Sequence, residues 1–234
     1  MKSFCEHYIS ENAEPLRSSN GLSFGLNIKD SLYRSYKELV ERQVVLEYWG
    51  KKTPCRRIGI TQKYNLLSFF YKLKLDIQFR FLFLPNNYGF KVVVCNLYND
   101  REPPYNIFGY GSDENLDLAC EKAFLEAWRF YWNFLKRKKT SKSKSVINGS
   151  EHHFDFYCDN KIDPYEVFVE DGESLRIEEN INFKIDKTAL YDLRKEGFRG
   201  ISVCVTRNDF YPFQIGPLRS NFLKRGIGEI HPIA

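Results

Sequence analysis

The run Val92–Leu97 (VVVCNL) constrains this chain more than any other feature. It is apolar almost without a break, the pattern of a strand buried on both faces rather than one alternating between core and solvent. Such a strand needs packed layers on either side, and its neighbours offer them. Ile77–Leu84 reads as a strand with Ile77, Phe79, Phe81 and Phe83 on one face. Pro85-Asn86-Asn87 turns the chain between the two, and Tyr105–Tyr110 gives a further strand beyond the Pro103-Pro104 break.

Two helical patterns flank these strands. Leu32, Tyr36, Leu39, Val40 and Val44 recur at three-and-four spacing, which predicts a helix capped by Asp30 and running to about Trp49, with Gly50 and Pro54 ending it. Leu116, Ala119, Cys120, Ala123, Phe124, Ala127, Phe130, Tyr131 and Phe134 supply a wider apolar face on the longest helix. Ser112 and Asp113 are its expected caps and Lys136 its approximate end. Gly109-Tyr110-Gly111-Ser112 reads as a tight strand-to-helix turn, with anion binding at the helix N-terminus as the alternative.

The rest is read more coarsely. Residues 1–29 are polar and irregular, and Asn65–Lys74 is a short helix. Residues 136–150 form a basic, Ser-rich, flexible connection. Strand-like runs follow at Phe154–Cys158, Val167–Glu170 and Leu175–Ile177, then a helix over Lys187–Glu196 and a hairpin made by Ile201–Thr206 and Phe210–Ile215. The order of elements is mixed, an α+β arrangement in one domain covering residues 1–234.

Charge and cysteine usage exclude several functions. The net charge is +5, but much of it lies in Lys136–Lys144, so the body is close to neutral and no nucleic-acid partner is expected. The six cysteines are scattered without a CxxC pair, which suits a reducing compartment and argues against a disulfide framework or a zinc site. His152-His153 lacks clustered cysteines and reads as structural. No signal peptide and no membrane span are apparent, so a cytoplasmic location is expected. No P-loop, dinucleotide fingerprint or nucleophile elbow occurs.

The chemistry-bearing positions sit on the two helices. Glu38 and Glu41 are three apart, so their carboxylates project from nearly the same face, with Arg42 beside them. On the longer helix Glu121 and Glu126 flank Lys122, and Arg129 lies one turn after Glu126. Carboxylates from two packed helices suit Mg²⁺ bridged to phosphate oxygens. Solvated helix faces with weak ion pairs are the plainer alternative, and spacing alone does not choose between them.

The stretches NGLSFGLNIKDSLYRSYKELVERQVVLEYW (Asn20–Trp49) and FGYGSDENLDLACEKAFLEAWRFYWNFL (Phe108–Leu135) resemble two segments of the YcaO family. The first carries an ExxER-like signature at Glu38, Glu41 and Arg42, and the second resembles the family's ExxxExxQ-like helix. NGSEHHFDFYC and ISVCVTRNDFYPFQIGPL resemble the regions that follow, in the same order. The flavour is that of the cyclodehydratase subunit of microcin-type azole biosynthesis.

The resemblance implies a YcaO-like fold of mixed sheets packed with helices, truncated at the N-terminus relative to the family. It also implies ATP-dependent activation of peptide backbone amides, forming azolines on the way to thiazole or oxazole rings in a ribosomal peptide natural product such as a bacteriocin. ATP and Mg²⁺ are the implied cofactors. Glu38, Glu41 and Glu126 are the implied metal contacts, and Arg42, Lys122 and Arg129 join them around the nucleotide. Two positions depart from the family: Lys122 aligns with the first Glu of the later signature, and Arg129 aligns with its Gln. An earlier helix with its own ExxER signature is missing. The expected partners are a precursor peptide and either a leader-peptide-binding, E1-like protein or the missing N-terminal half, in a dimer or hetero-complex. The alternative is a degenerate scaffold that binds peptide without turning over ATP.

Overall fold

The computed structural model describes residues 21–59, 77–137, 150–174, 189–192 and 201–206. Strand β1 (Leu22–Gly25) leads into helix α1 (Ile28–Lys51), and β2 (Cys55–Ile58), β3 (Gln78–Leu84), β4 (Lys91–Tyr98) and β5 (Asn106–Asp113) follow. Helices α2 (Leu116–Arg137), α3 (Ser150–Asp159) and α4 (Pro164–Val167) precede β6 (Glu170–Ser174), β7 (Ala189–Asp192) and β8 (Ile201–Thr206). Five strands form one sheet in the order β5-β4-β3-β2-β6, antiparallel except for the parallel β2–β6 pair. The second sheet has the order β1-β8-β7 and is antiparallel throughout.

The doubly buried strand is β4, in the middle of the large sheet. Val92 and Val94 enter one core with Tyr36, Leu39, Val40 and Val44 of α1. Val93, Cys95 and Leu97 enter a second core with Ala119, Ala123, Ala127 and Tyr131 of α2. The period of two that puts alternate side chains on opposite faces thus assigns each face of the sheet its own helix. Ile77, Phe79, Phe81 and Phe83 all pack on the α2 side, as their spacing predicts.

Helix α1 is itself enclosed, because it touches β1 and β8 on one side and β3, β4 and β5 on the other. Small polar side chains serve the β1 side: Ser35 Oγ donates to the Gly21 carbonyl and Ser23 Oγ to that of Ser31. The helix begins earlier than its apolar stripe suggests. Asn27 Oδ1 accepts the Asp30 N–H at 2.9 Å, while Asn27 Nδ2 donates to Asp30 Oδ2 at 2.5 Å. Asn27 is therefore the cap, and Asp30 stands in the first turn, where its charge suits the helix N-terminus.

Other elements correct the sequence reading. Residues 22–25 are a strand within the lead-in read as irregular. Phe154–Cys158 lies in a helix, and its buried residues His153, Phe154, Tyr157 and Cys158 follow helical spacing. Residues 189–192, inside the predicted Lys187–Glu196 helix, pair with β8 through Leu190↔Val205 and Tyr191↔Cys204. Pairing between distant segments there overrides local propensity. The predicted Val167–Glu170 strand divides between the end of α4 and the start of β6. The helix at Asn65–Lys74, the run Leu175–Ile177, the second arm of the final hairpin and most of the basic connection lie outside the described residues.

Beneath the large sheet, Arg80 is fully buried and fully used. It reaches Glu170 Oε1 at 2.6 Å, Asn96 Oδ1 at 3.2 Å and the Pro164 carbonyl at 2.5 Å, with the Tyr165 ring 4.2 Å away. It ties β3 to β6 and to α4.

Candidate functional site

Strand β5 ends the large sheet, so one row of its backbone groups is not covered by another strand. Gly109-Tyr110-Gly111-Ser112 belongs to this strand, which runs on to Asp113. The expected turn there is not formed, and Asn115, not Ser112 or Asp113, caps α2 by accepting the N–H groups of Asp117 and Leu118 at 2.8 and 3.2 Å. The two glycines serve contact instead. A Cβ at Gly109 would lie 2.3 Å from Ala123 O and Ala127 N, and one at Gly111 would lie 2.1 Å from Ala119 O. Backbone meets backbone, and α2 comes nearer to the strand than side chains would allow.

That approach carries Glu126 to the strand edge, where its Oε2 accepts the Tyr110 N–H at 2.6 Å. From the opposite face α1 brings Glu41, whose Oε2 accepts from Ser112 Oγ at 2.7 Å. Glu38 lies one turn earlier, paired with Arg42 at 2.9 Å. The three carboxylates act on one another. Burial and then the Glu126 charge raise the Glu41 carboxyl, against Ser112 and Arg42, to about 7. Burial likewise raises Glu38 against Arg42, with Glu126 adding to the rise. Glu126 is raised by burial against the Tyr110 N–H and the charges of Arg129 and Arg42.

Alongside lies a cavity of about 640 Å³, lined by Arg34, Lys37, Glu38 and Glu41 of α1, Ser112 of β5 and Lys122 of α2, among others. Its cations gather on Asp113: Lys37 Nζ is 3.4 Å from Asp113 Oδ2, and Lys122 Nζ bonds the same oxygen. Lys37 is lowered by burial and then by Lys122, despite Asp113. Burial works to raise the Asp113 carboxyl, but bonds from Lys122 and the Asn115 N–H, with the charges of Lys122 and Lys37, hold it low. Tyr33 lies under Lys37, 5.0 Å from the ring centre, and its hydroxyl donates to Glu114 at 3.3 Å.

Glu38, Glu41, Arg42, Lys122 and Glu126 thus come together at one end of β5. Arg129 stands at the margin, largely exposed and 3.6 Å from Glu126 Oε1. Sequence reasoning missed Lys37, Arg34 and Asp113. The signal was present in part: Asp30, Arg34, Lys37, Glu38 and Glu41 form a polar stripe at helical spacing. Nothing local marks Asp113 as the shared partner of two lysines from different helices.

The arrangement can be tested against a divalent cation. Among the described residues no three His, Cys, Asp or Glu side chains come close enough to enclose a metal ion by themselves. Mg²⁺ does not need such a cage, because it keeps several waters and binds through one or two carboxylates plus phosphate oxygens. Mutually repelling, partly buried carboxylates beside two ammonium groups fit Mg²⁺ together with a phosphorylated ligand.

Comparison with known proteins gives a family and a fold. Residues 3–211 match the family described as YcaO cyclodehydratase, ATP- and Mg²⁺-binding. The E. coli microcin synthetase McbBCD complex is similar at 19% identity and a TM-score of 0.67, over 83% of this chain and 55% of that one. YcaO from Methanopyrus kandleri bound with AMPPCP and Mg²⁺ is similar at 16% identity and a TM-score of 0.62, over 92% and 62%. The heterocyclase TruD is similar at 16% identity and a TM-score of 0.61, over 80% and 28%. This chain therefore spans less than two thirds of each of those chains, and at these identities the likeness is one of fold. No curated protein matches the chain. Among the described residues, no helix is long and apolar enough to cross a membrane.

Proposed function

We propose that this chain, which belongs to the YcaO family, binds Mg²⁺ and ATP at the edge of β5 and acts in azoline formation on a ribosomal precursor peptide. The family binds ATP and Mg²⁺. The observation that carries the reading for this chain is the gathering of Glu38, Glu41 and Glu126 from two helices, where burial first and then the Glu126 and Glu38 charges push the Glu41 carboxyl up to about 7. Carboxylates that repel one another in this way gain when a divalent cation joins them.

In this reading Glu38, Glu41 and Glu126 present oxygens to the metal, and Arg42 limits their repulsion. Ser112 fixes the rotamer of Glu41 through its hydrogen bond. Lys37 and Lys122, anchored on Asp113, offer ammonium groups to phosphate oxygens, with Arg34 further along the cavity wall. Lys122 stands where the family signature has a carboxylate, so it exchanges a metal contact for a phosphate contact. Arg129 screens Glu126 from outside. Bound ATP would supply the phosphoryl group that converts a peptide amide oxygen into a leaving group. The chain's own part is to hold the phosphates, to give up the Glu41 proton on metal binding, and to keep the carboxylates in place.

A second reading rests on the same lysine. Lys122 is already neutralised by Asp113, which also suits a scaffold that holds peptide without turning over nucleotide. Titration calorimetry with Mg²⁺ and ATP separates the two. Binding that requires Mg²⁺ and is lost in a Glu38→Ala, Glu126→Ala double variant supports the nucleotide site. No binding, with or without the partner that completes the enzyme, refutes it and leaves the scaffold.

A further inference from the structure

A second cavity, of about 570 Å³, opens at the other end of the large sheet from the carboxylates. Tyr98, which lines it, closes β4, while Val92, the partner of Ser112, lies near the start of that strand. The strand between them places the two sites roughly 20 Å apart. Tyr98, Tyr105 and Tyr165 form the aromatic walls, and their positions are fixed from beneath. The Tyr105 N–H donates to the Cys158 carbonyl at 2.9 Å, and the Tyr105 carbonyl accepts the Asn99 N–H at 3.2 Å. Asn106 Nδ2 reaches the Ile162 carbonyl at 2.7 Å and Arg80 bonds that of Pro164, so the segment before Tyr165 is tied to the sheet.

Tyr165 shows what the walls select. The Arg80 guanidinium lies 4.2 Å from its ring centre, yet the residue is 43% exposed, so one face is taken and the other is open to the cavity. A cation on one face draws π-density toward itself. It leaves the other face suited to an electron-rich ring, indole or phenol, rather than to a second cation. The charges of the lining select no ion. Asp163 is engaged as the cap of α4, accepting the Tyr165 N–H at 2.9 Å, and Asp100 and Lys161 are opposite in sign. Among the described residues, the side chains of Gln78, Asp100 and Lys161 make no hydrogen bond or ion pair, and neither does the Tyr105 hydroxyl. Such a mixture of donors and acceptors suits the amide groups that flank a side chain in a peptide. We propose that this cavity binds an aromatic residue of a peptide, its ring stacked on Tyr165, with Gln78, Asp100 and Lys161 serving its flanking amides. No residue of this cavity belongs to the carboxylate site, so the inference does not depend on the nucleotide reading.

The test is a ligand-observed NMR titration of the full chain with N-acetyl-tryptophanamide and N-acetyl-leucinamide, and with free tryptophan as a third probe. N-acetyl-tryptophanamide is expected to bind saturably in the millimolar range, the strength of a single residue, and about tenfold tighter than the leucine analogue. Nuclear Overhauser contacts should run from the indole to the ring of Tyr165. Tyr165→Leu keeps an apolar side chain at a half-exposed position and should bring the two amides to equal affinity. The Glu38→Ala, Glu126→Ala double variant should change neither. Should Tyr165→Leu misfold, the Overhauser contacts in the wild type decide. No saturable binding, equal affinity for both amides in the wild type, or contacts elsewhere on the chain overturns the proposal. Tighter binding of free tryptophan than of its amide assigns the cavity to a free amino acid and overturns the peptide.

Discussion

Replacing Gly111 with alanine tests the contact on which the carboxylate site depends. The added methyl would come 2.1 Å from the Ala119 carbonyl oxygen and 2.6 Å from the Ala123 nitrogen, both backbone atoms that cannot rotate away. Ordinary contact requires α2 to retreat from β5 by roughly an ångström, and close-packed interiors resist such a shift. Overpacking of this kind costs about 1–3 kcal/mol. The top of that range applies here, because the clash is with backbone and the helix is held on both sides of the contact. Against this, alanine restricts the unfolded chain and returns about 0.4–1 kcal/mol. The net expectation is a loss of about 2 kcal/mol. Glu126 should leave the Tyr110 N–H as the helix moves, so nucleotide binding should fall more than stability does.

Urea denaturation of Gly111→Ala beside Gly59→Ala measures the first effect, and calorimetry with Mg²⁺ and ATP measures the second. Gly59 has no heavy atom within 4 Å of where its Cβ would lie, so its variant should be neutral or slightly more stable. If Gly111→Ala unfolds at the same midpoint as Gly59→Ala, α2 does not lie against β5 as described, and the positioning of Glu126 falls with it.

Two further outcomes follow from buried charge. The Glu41 carboxyl is raised from 4.5 to about 7, so its contribution to stability is complete below about pH 4.5 and is lost as the pH rises through 7. Glu41→Gln should therefore be more stable than wild type at pH 8, by on the order of 3 kcal/mol, and equal to it near pH 4, as urea titrations at both values would show. In the wild type, Mg²⁺ affinity should climb between about pH 6 and 8 with proton release, measurable by calorimetry in buffers of different ionisation enthalpy; a pH-independent affinity would remove Glu41 from the metal site. Arg80→Ala strands the Glu170 carboxylate and the Pro164 carbonyl, and should cost about 3–5 kcal/mol. Arg80→Met should cost less than Arg80→Ala, because it keeps the volume; equal losses in thermal unfolding would show that the guanidinium contacts, not packing, hold β6 to the sheet.

Regular side-chain periodicity made much of the fold legible. The apolar run of β4 and the single-face pattern of β3 foretold a sheet covered twice, and the two long helices stand where three-and-four spacing put them. Errors fall where the local signal was short or shared. Phe154–Cys158 alternates as a strand would, yet its buried residues follow a helix once α3 lies against β5. Residues 189–192 have no strand partner nearby in sequence, and only β8 makes them a strand. At the site, Glu38, Glu41 and Arg42 were legible because they lie on one turn of one helix. Lys37 and Asp113 were not, because the oxygen that two lysines share lies across a fold that no spacing encodes.

The sequence by itself determined the central strands, the two long helices and which carboxylates those helices carry, since period and side-chain chemistry are local properties of a chain. Tertiary structure alone decided that those helices take opposite faces of one sheet and meet beyond its last strand. Two glycines let backbone touch backbone there, so Glu126 reaches the strand edge and adds to the rise that burial gives the Glu41 carboxyl. Charges on separate helices interact according to distance in space, and that distance exists only after the chain has packed.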